Sequence, residues 1–441
     1  MNVLKKNKKG SKGLLRAWAV YDWANSVYTA VITTTIFPIY YGTLLDDSDT
    51  ILVLGQHIRS TAMISFIVGL TISMVVLLSP ILSGIADYIG NKKIFMRFFV
   101  YLGAFSCIGL YWFNIDTIYL GLVFYALGII GFQGSLVFYN SYLPDITYQH
   151  QMDKASAMGF SYGYLGSVIL LIFNLSMVMK PDWYGISGSV SEKPLMAMRY
   201  SFVTVGVWWL LFSHYSFYFL PKGNKKIKEV KNVVLNGFKE LLSVWNIVKK
   251  HLNIRRFLGA FFVYSMALQT VMIIAAYFGE QELYWNNDTE KTTGLILSIL
   301  LIQLIAILGA ELTARASSRY GNIPVLIGLN IIWAGICIGA YWVYFPIHFY
   351  FIAGSVGLVV GGIQSLSRST YSKLLPKTKD TTSFFSFYDV SEKLAIIMGI
   401  TIFGFLDQTT GSIRTSITFF PVLFLVGVFL LLRMPRKIFS K

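Results

Sequence analysis

Charge is scarce in this chain. Lys, Arg, Asp and Glu make up 13% of its 441 residues, about half the share usual in a soluble domain. Acids are scarcer than bases, 21 against 37, which leaves a net charge of +16. The only cysteines, Cys107 and Cys337, fall inside apolar runs, which excludes a disulfide framework and a cysteine metal site. His57, His150, His214, His251 and His348 are scattered, so no histidine metal box is available either. No G-x-x-x-x-G-K-[ST] occurs, which excludes direct drive by ATP through that element. Outside the Asp389 to Lys393 cluster, acid–base pairs at helical spacing, such as Glu311 with Arg315, read as local ion pairs, so an enzyme is not expected, nor is any cofactor. What abounds is apolar: 55% hydrophobic and 16% aromatic, with mean hydropathy +0.61. That is a polytopic membrane protein. The basic N-terminus precedes an apolar run too long for a signal-peptide core, so that segment is expected to be retained.

Apolar runs of about 20 residues lie near 18–44, 59–85, 94–114, 117–140, 155–179 and 199–220, then near 256–279, 293–316, 322–343, 346–366, 384–406 and 412–433. They are numbered spans 1 to 12 below. The halves repeat. Gly90-Asn91 recurs as Gly321-Asn322 and Gln133 as Gln364, both 231 residues on, and Leu143-Pro144 recurs as Leu375-Pro376. Duplicated membrane bundles hold a binding site between their halves, so a solute transporter is the first reading.

With the N-terminus inside, inner segments hold 30 of the 37 basic residues, which predicts that both termini are cytoplasmic. The outer segments carry Asp46, Asp47, Asp49, Glu280, Glu282 and Asp288 instead. The basic excess thus reads as orientation and contact with the lipid bilayer, not nucleic-acid binding. The chain divides into a basic N-terminus 1–17, a bundle 18–220, a linker 221–255, a second bundle 256–433 and a basic tail 434–441. Within the linker, Val234, Phe238, Leu241, Trp245, Val248 and Leu252 share one helical face. It predicts an amphipathic helix lying flat on the inner leaflet, with a partner-binding site as the alternative.

Ionisable residues inside spans are costly and mark function. In span 1, Asp22, Asn25, Thr29 and Thr33 form one stripe, widened by Ser26. Asp22 reads either as a substrate- or proton-binding carboxylate or as an anchor paired with a base. In span 11, Asp389, Glu392 and Lys393 fall within five positions. Lys393 neutralises one carboxylate, and the other must find a partner elsewhere, bind a proton or face water. A salt-bridge lock between the halves is the alternative. Tyr264 and Gln269, with Ser265 and Thr270, put polar groups on span 7. Gln133 and Gln364 occupy matched places on spans 4 and 10, lining the solute path or joining helices. Gly159, Gly163 and Gly166 predict close packing of span 5.

Between spans 2 and 3, Asp87, Gly90 and Lys92 in "SGIADYIGNKKIFMR", with Lys93 adding a charge, resemble the cytoplasmic signature of the major facilitator superfamily. The second half keeps Arg319 and Gly321 but has Ser318 at the acidic position. The resemblance implies an all-α membrane fold of twelve transmembrane helices in two pseudo-symmetric six-helix bundles. It also implies that Asp87 holds the N-terminus of span 11 to close a cytoplasmic gate. "YDWANS" in span 1, "SRYGN" after span 8, "GGIQSLSRS" in span 10 and "FFSFYDVSEK" in span 11 look like the vacuole-effluxer-like, autophagy-related branch of that superfamily. Arg368 in "SRS" matches its pattern, and could hold an anion, pair with Asp22 or Asp389, or contact lipid phosphate. Relatives carry an acid in span 7 where this chain has Tyr264-Ser265-Met266-Ala267. If that acid couples protons in relatives, Asp22 or the span-11 carboxylates must do so here.

The expected function is secondary active transport by alternating access of a small polar solute, an amino acid or similar metabolite, with export the favoured direction and protons the candidate coupling ion. The expected place is a bacterial inner membrane. The alternative is a non-transporting membrane sensor or scaffold with the same fold.

Overall fold

The computed structural model describes residues 8–45, 50–53, 55–190, 192–223 and 233–434. Asp46, Asp47 and Asp49, most of the basic tail and the centre of the linker lie outside them, as does the side chain of Val234.

The twelve runs are helical. Span 1 runs through Lys12–Val27, Tyr28–Ile36 and Phe37–Leu44. Spans 2 to 6 are Ser60–Ile89, Lys92–Gly109, Ile118–Asn140, Met152–Met179 and Glu192–Phe219. Spans 7 to 11 are Leu252–Gln281, Asp288–Tyr320, Asn322–Ala340, Pro346–Leu374 and Thr381–Thr410. Span 12 is Phe420–Leu432, preceded by the short helix Ile413–Ile417. Among the described residues, ten helices are long and apolar enough to cross a membrane. The other two, spans 1 and 11, carry the polar stripe and the clustered charges.

Span 1 is interrupted in its middle third, where Tyr28–Ile36 winds as a π-helix just before Pro38. Proline cannot donate to the ladder, and the wider turn absorbs the mismatch. The Thr34 and Thr35 hydroxyls both donate to the Ala30 carbonyl, at 2.9 and 2.8 Å. The sequence reading had no signal for this. It also missed a hairpin before span 2, in which Thr50–Val53 pairs antiparallel with Gln56–Arg59.

Each half has its own apolar core. One gathers Trp18, Tyr28, Phe37, Tyr125 and Trp209, the other Phe261, Trp333, Tyr371, Phe384 and Phe424. Where lipid offers no hydrophobic drive between helices, close packing of these side chains supplies the dispersion that holds each bundle. Between the halves, span 5 packs on spans 8 and 10, and span 2 packs on span 11.

The linker helix, Val233–Lys250, departs from expectation. It seats on protein, with Gly237, Val244 and Val248 buried and Leu241 half-buried. Phe238 and Trp245, expected on the same face, are 48% and 41% exposed. The apolar arc is wide enough to be shared between the bundles and the outside.

Candidate functional site between the bundles

The two Gly-Asn turns lie at the end expected to face the cytoplasm, and there the halves are joined by charge. Gly90 closes span 2 at φ 70° and Gly321 follows span 8 at φ 87°, both in the left-handed half of backbone space that glycine tolerates. Asp87, one turn earlier, accepts hydrogen bonds from the Ser383 and Thr382 backbone N–H groups at 2.6 and 3.3 Å. Those N–H groups open span 11, where a helix leaves donors unpaired and carries partial positive charge. Lys92 Nζ donates to Thr381 Oγ1 at 3.0 Å, to the Ser141 carbonyl at 2.8 Å and to Asp145 at 2.5 Å. It therefore ties span 3 to the end of span 4 and the start of span 11. Lys93 points the other way and donates to the Leu220 carbonyl at 2.7 Å.

The second half builds its counterpart differently. Position 318, which repeats Asp87, is serine, and the acid comes instead from Asp153 in the first turn of span 5. Asp153 accepts from Ser317 Oγ at 3.0 Å, Asn322 Nδ2 at 2.9 Å and Lys373 Nζ at 2.5 Å. Lys373 also donates to Asn322 Oδ1 at 2.9 Å. Arg319 stands apart: it is exposed, with its guanidinium 5.3 Å from the Tyr320 ring centre. Sequence reasoning overlooked Asp153 and Lys373, and read Asn322 only as a landmark of the repeat. The missing acid at Ser318 was the available signal, since a cationic clasp needs a carboxylate from somewhere.

Deeper lies a cross-bundle ion pair. Arg368 of span 10 donates through Nη2 and Nη1 to Asp22 Oδ2 of span 1 at 3.2 and 3.3 Å. Its remaining donors reach Ser156 Oγ at 2.9 Å, the Ser156 carbonyl at 3.0 Å and Asn140 Oδ1 at 3.1 Å. Tyr139 donates its hydroxyl to the same Asp22 oxygen at 2.7 Å. Trp18, Tyr139 and Phe160 surround the guanidinium, with ring centres 4.7, 5.5 and 4.3 Å away. Trp18 is fixed in turn by stacking on Tyr139 at 4.6 Å and donating Nε1 to the Tyr139 carbonyl at 3.0 Å. Asp22 is 6% exposed and Arg368 3%. Every partner of Arg368 named here belongs to the other half. Gly159 makes this possible: a Cβ there would stand 2.9 Å from Arg368 Nη2 and closer still to Asp22. Of the partners open to Arg368 in the sequence, the structure joins it to Asp22.

The rest of the span-1 stripe is quieter. Ser26 donates to Asn25 Oδ1 at 3.3 Å, and Thr29 returns its hydroxyl to the Ser26 carbonyl at 2.9 Å. Asn25 is buried beside the Tyr21 hydroxyl, and Thr33 lies beside that of Tyr28.

In span 11, Lys393 pairs with Asp389 of its own helix, so this is not a lock between halves. Asp389 Oδ2 is buried, with Ser79 of span 2 as its polar neighbour from the other half. Glu392 finds Gln269 on span 7, whose Nε2 donates at 2.8 Å. Tyr264 shares a 2.7 Å hydrogen bond with Ser367 of span 10. The matched glutamines part company. Gln364 accepts from Tyr164 of the opposite half at 2.9 Å, whereas Gln133 is half-buried on span 4.

A family model described as vacuole effluxer Atg22 like matches residues 10–437. The uncharacterized MFS-type transporter YxiO of Bacillus subtilis is 30% identical over 429 residues, covering 96% of this chain and 94% of that protein. Autophagy-related protein 22 of Saccharomyces cerevisiae is 24% identical over 402 residues, 78% of this chain and 72% of that one. Among solved structures, the E. coli fucose:proton symporter FucP in its outward conformation matches with TM-score 0.69 at 14% identity, over 96% of this chain and 98% of that chain.

Proposed function

The chain belongs to the Atg22-like vacuole-effluxer family of the major facilitator superfamily, and on that premise we propose that it moves a small polar solute, an amino acid or similar metabolite, outward across a bacterial inner membrane by alternating access. That it is a membrane transporter and not an enzyme follows from the family. The solute, its direction and its coupling are the proposal.

One observation carries it: the buried Asp22–Arg368 pair, whose partners come from opposite bundles. A charge pair inside a membrane protein is costly to form, and one between rigid bundles can break only if they part. Its separated charges would be satisfied by water or by a solute bearing the complementary groups. A zwitterion offers an ammonium to Asp22 and a carboxylate to Arg368. On this reading Asp87, Gly90, Lys92, Asp153, Asn322 and Lys373 form the cytoplasmic gate, and both termini face the cytoplasm. Asn25, Ser26, Thr29, Gln133, Tyr264, Gln269 and Gln364 line the path above it. Asp389, Glu392 and Lys393 are the proton-responsive group.

The test is uptake of labelled amino acids into proteoliposomes, with and without a pH gradient. Flux above protein-free vesicles that rises with the gradient is expected. Equal flux with and without protein, across the amino acids, removes the proposal.

A further inference from the structure

The linker helix Val233–Lys250 is held by both bundles. Its first half lies on span 2, where Gly84 and Gly237 approach so closely that a Cβ on Gly84 would collide with the Gly237 carbonyl. Asn236 Nδ2 donates to Tyr88 of that span at 3.0 Å. Its second half belongs to the other bundle: Val244 and Val248 join that bundle's core, and Trp245 stacks on Phe387 of span 11 at 5.3 Å. The helix therefore straps span 2 to span 11 beside Asp87, across the gate.

Its remaining surface has two kinds of side chain. Leu235, Phe238, Leu242 and Trp245 are 61%, 48%, 45% and 41% exposed. They form one stripe, rotated about 110° from the seated face Gly237, Leu241, Val244 and Val248 at ~100° per residue. Lys239, Lys249, Lys250 and Arg255 are exposed around and beyond it, and Lys249 Nζ sits 5.0 Å from the Trp245 ring centre. An apolar stripe edged with lysine, next to membrane spans, has the chemistry of an interfacial helix on an anionic surface.

We propose that this stripe docks on anionic lipid headgroups of the adjoining leaflet, and that the docked strap favours the closed gate. The inference rests on the transporter reading, with this end cytoplasmic. Its physical basis is geometric. If spans 2 and 11 separate, the helix must release Gly84 or Phe387, so whatever holds the seated helix in place holds the gate shut. Each lysine near a charged surface contributes about 1 kcal/mol, enough in sum to bias a conformational equilibrium.

The experiment uses the full chain in nanodiscs of phosphatidylcholine alone or mixed with phosphatidylglycerol. A bimane on Leu242→Cys reports quenching by brominated acyl chains; native Cys107 and Cys337 are buried. Spin labels on Lys154→Cys and Lys377→Cys, exposed at this end of opposite bundles, report the gate. Phosphatidylglycerol is expected to deepen quenching several-fold and to shorten the spin-label separation. Lys239→Gln/Lys249→Gln/Lys250→Gln, or high salt, should abolish both changes. Equal quenching in the two membranes, a separation indifferent to lipid charge, or shielding of the stripe by a second copy of the chain would each overturn it. None of these readouts requires solute flux, so their failure is distinguishable from failure of the transport assay.

Discussion

Removing one partner of the Asp22–Arg368 pair should open the gate. Arg368→Gln leaves the Asp22 carboxylate buried at 6% exposure with only the Tyr139 hydroxyl donating to it. Asp22→Asn leaves a guanidinium with Ser156, Asn140 and three rings but no counter-charge. Stranding a buried charge costs about 3–5 kcal/mol, or roughly 10²- to 10⁴-fold in an equilibrium. Parting the bundles hydrates the stranded group, so the cost falls on the closed state alone. A gate closed at about 99:1 would become evenly balanced or mostly open. Double electron–electron resonance between labels at Lys154→Cys and Lys377→Cys reads the populations directly. The decisive measurement is the cycle. Asp22→Asn/Arg368→Gln strands no charge and should lie nearer the parent than either single variant. Single variants with unchanged separations, or a double variant equal to the sum of the singles, would refute the reasoning.

Gly159→Ala should act on the same pair without touching either charge. Its new Cβ would crowd Asp22 and Arg368, at about 1–3 kcal/mol, and raise the open population measured by the same labels. Asp153→Asn removes the acceptor of Ser317, Asn322 and Lys373. It should raise the open population read by the same labels, and an unchanged separation would remove Asp153 from the gate. Glu392→Gln keeps the Gln269 contact in outline but cannot carry a proton. In proteoliposomes it should lose gradient-driven accumulation while keeping counterflow, and intact uphill transport would rule Glu392 out as the coupling group.

Much of this architecture is legible in the sequence because a bilayer reads hydropathy directly. The spans, the internal repeat and the polar stripe of span 1 emerge from composition and spacing alone. What hydropathy misreads is polarity paired within protein. Span 10 was expected to end near 366 but continues to Leu374. Ser367, Arg368, Ser369 and Thr370 are polar, yet all are buried against the opposite half or their own carbonyls. The linker forms the expected helix, but its apolar face divides, for a related reason. A helical wheel finds an apolar arc, but only tertiary contact decides which part of the arc meets protein. Asp22 and Arg368 stand 346 residues apart, and no local pattern could choose between Asp22 and Asp389 as the partner.

On the proposed function, the two halves of the gate solve one electrostatic problem by different means, and the difference has a consequence. Asp87 draws on the open backbone of span 11, which every sequence supplies at a helix start, with the Ser383 and Thr382 side chains beside it. Asp153 needs three particular side chains, Ser317, Asn322 and Lys373, each from the other bundle. The backbone part of the first contact therefore survives change at residues 382 and 383 so long as the helix begins there. The second fails with any one donor, because a buried carboxylate loses more from an absent partner than it gains from those that remain. Loss of the acid at position 318 is thus no loss of the gate. Asp87 and Ser318 lie in the last turns of spans 2 and 8, whereas Asp153 lies at a helix N-terminus, where the dipole stabilises it before any partner arrives. The closing of that side of the gate is governed by the donors on spans 8, 9 and 10.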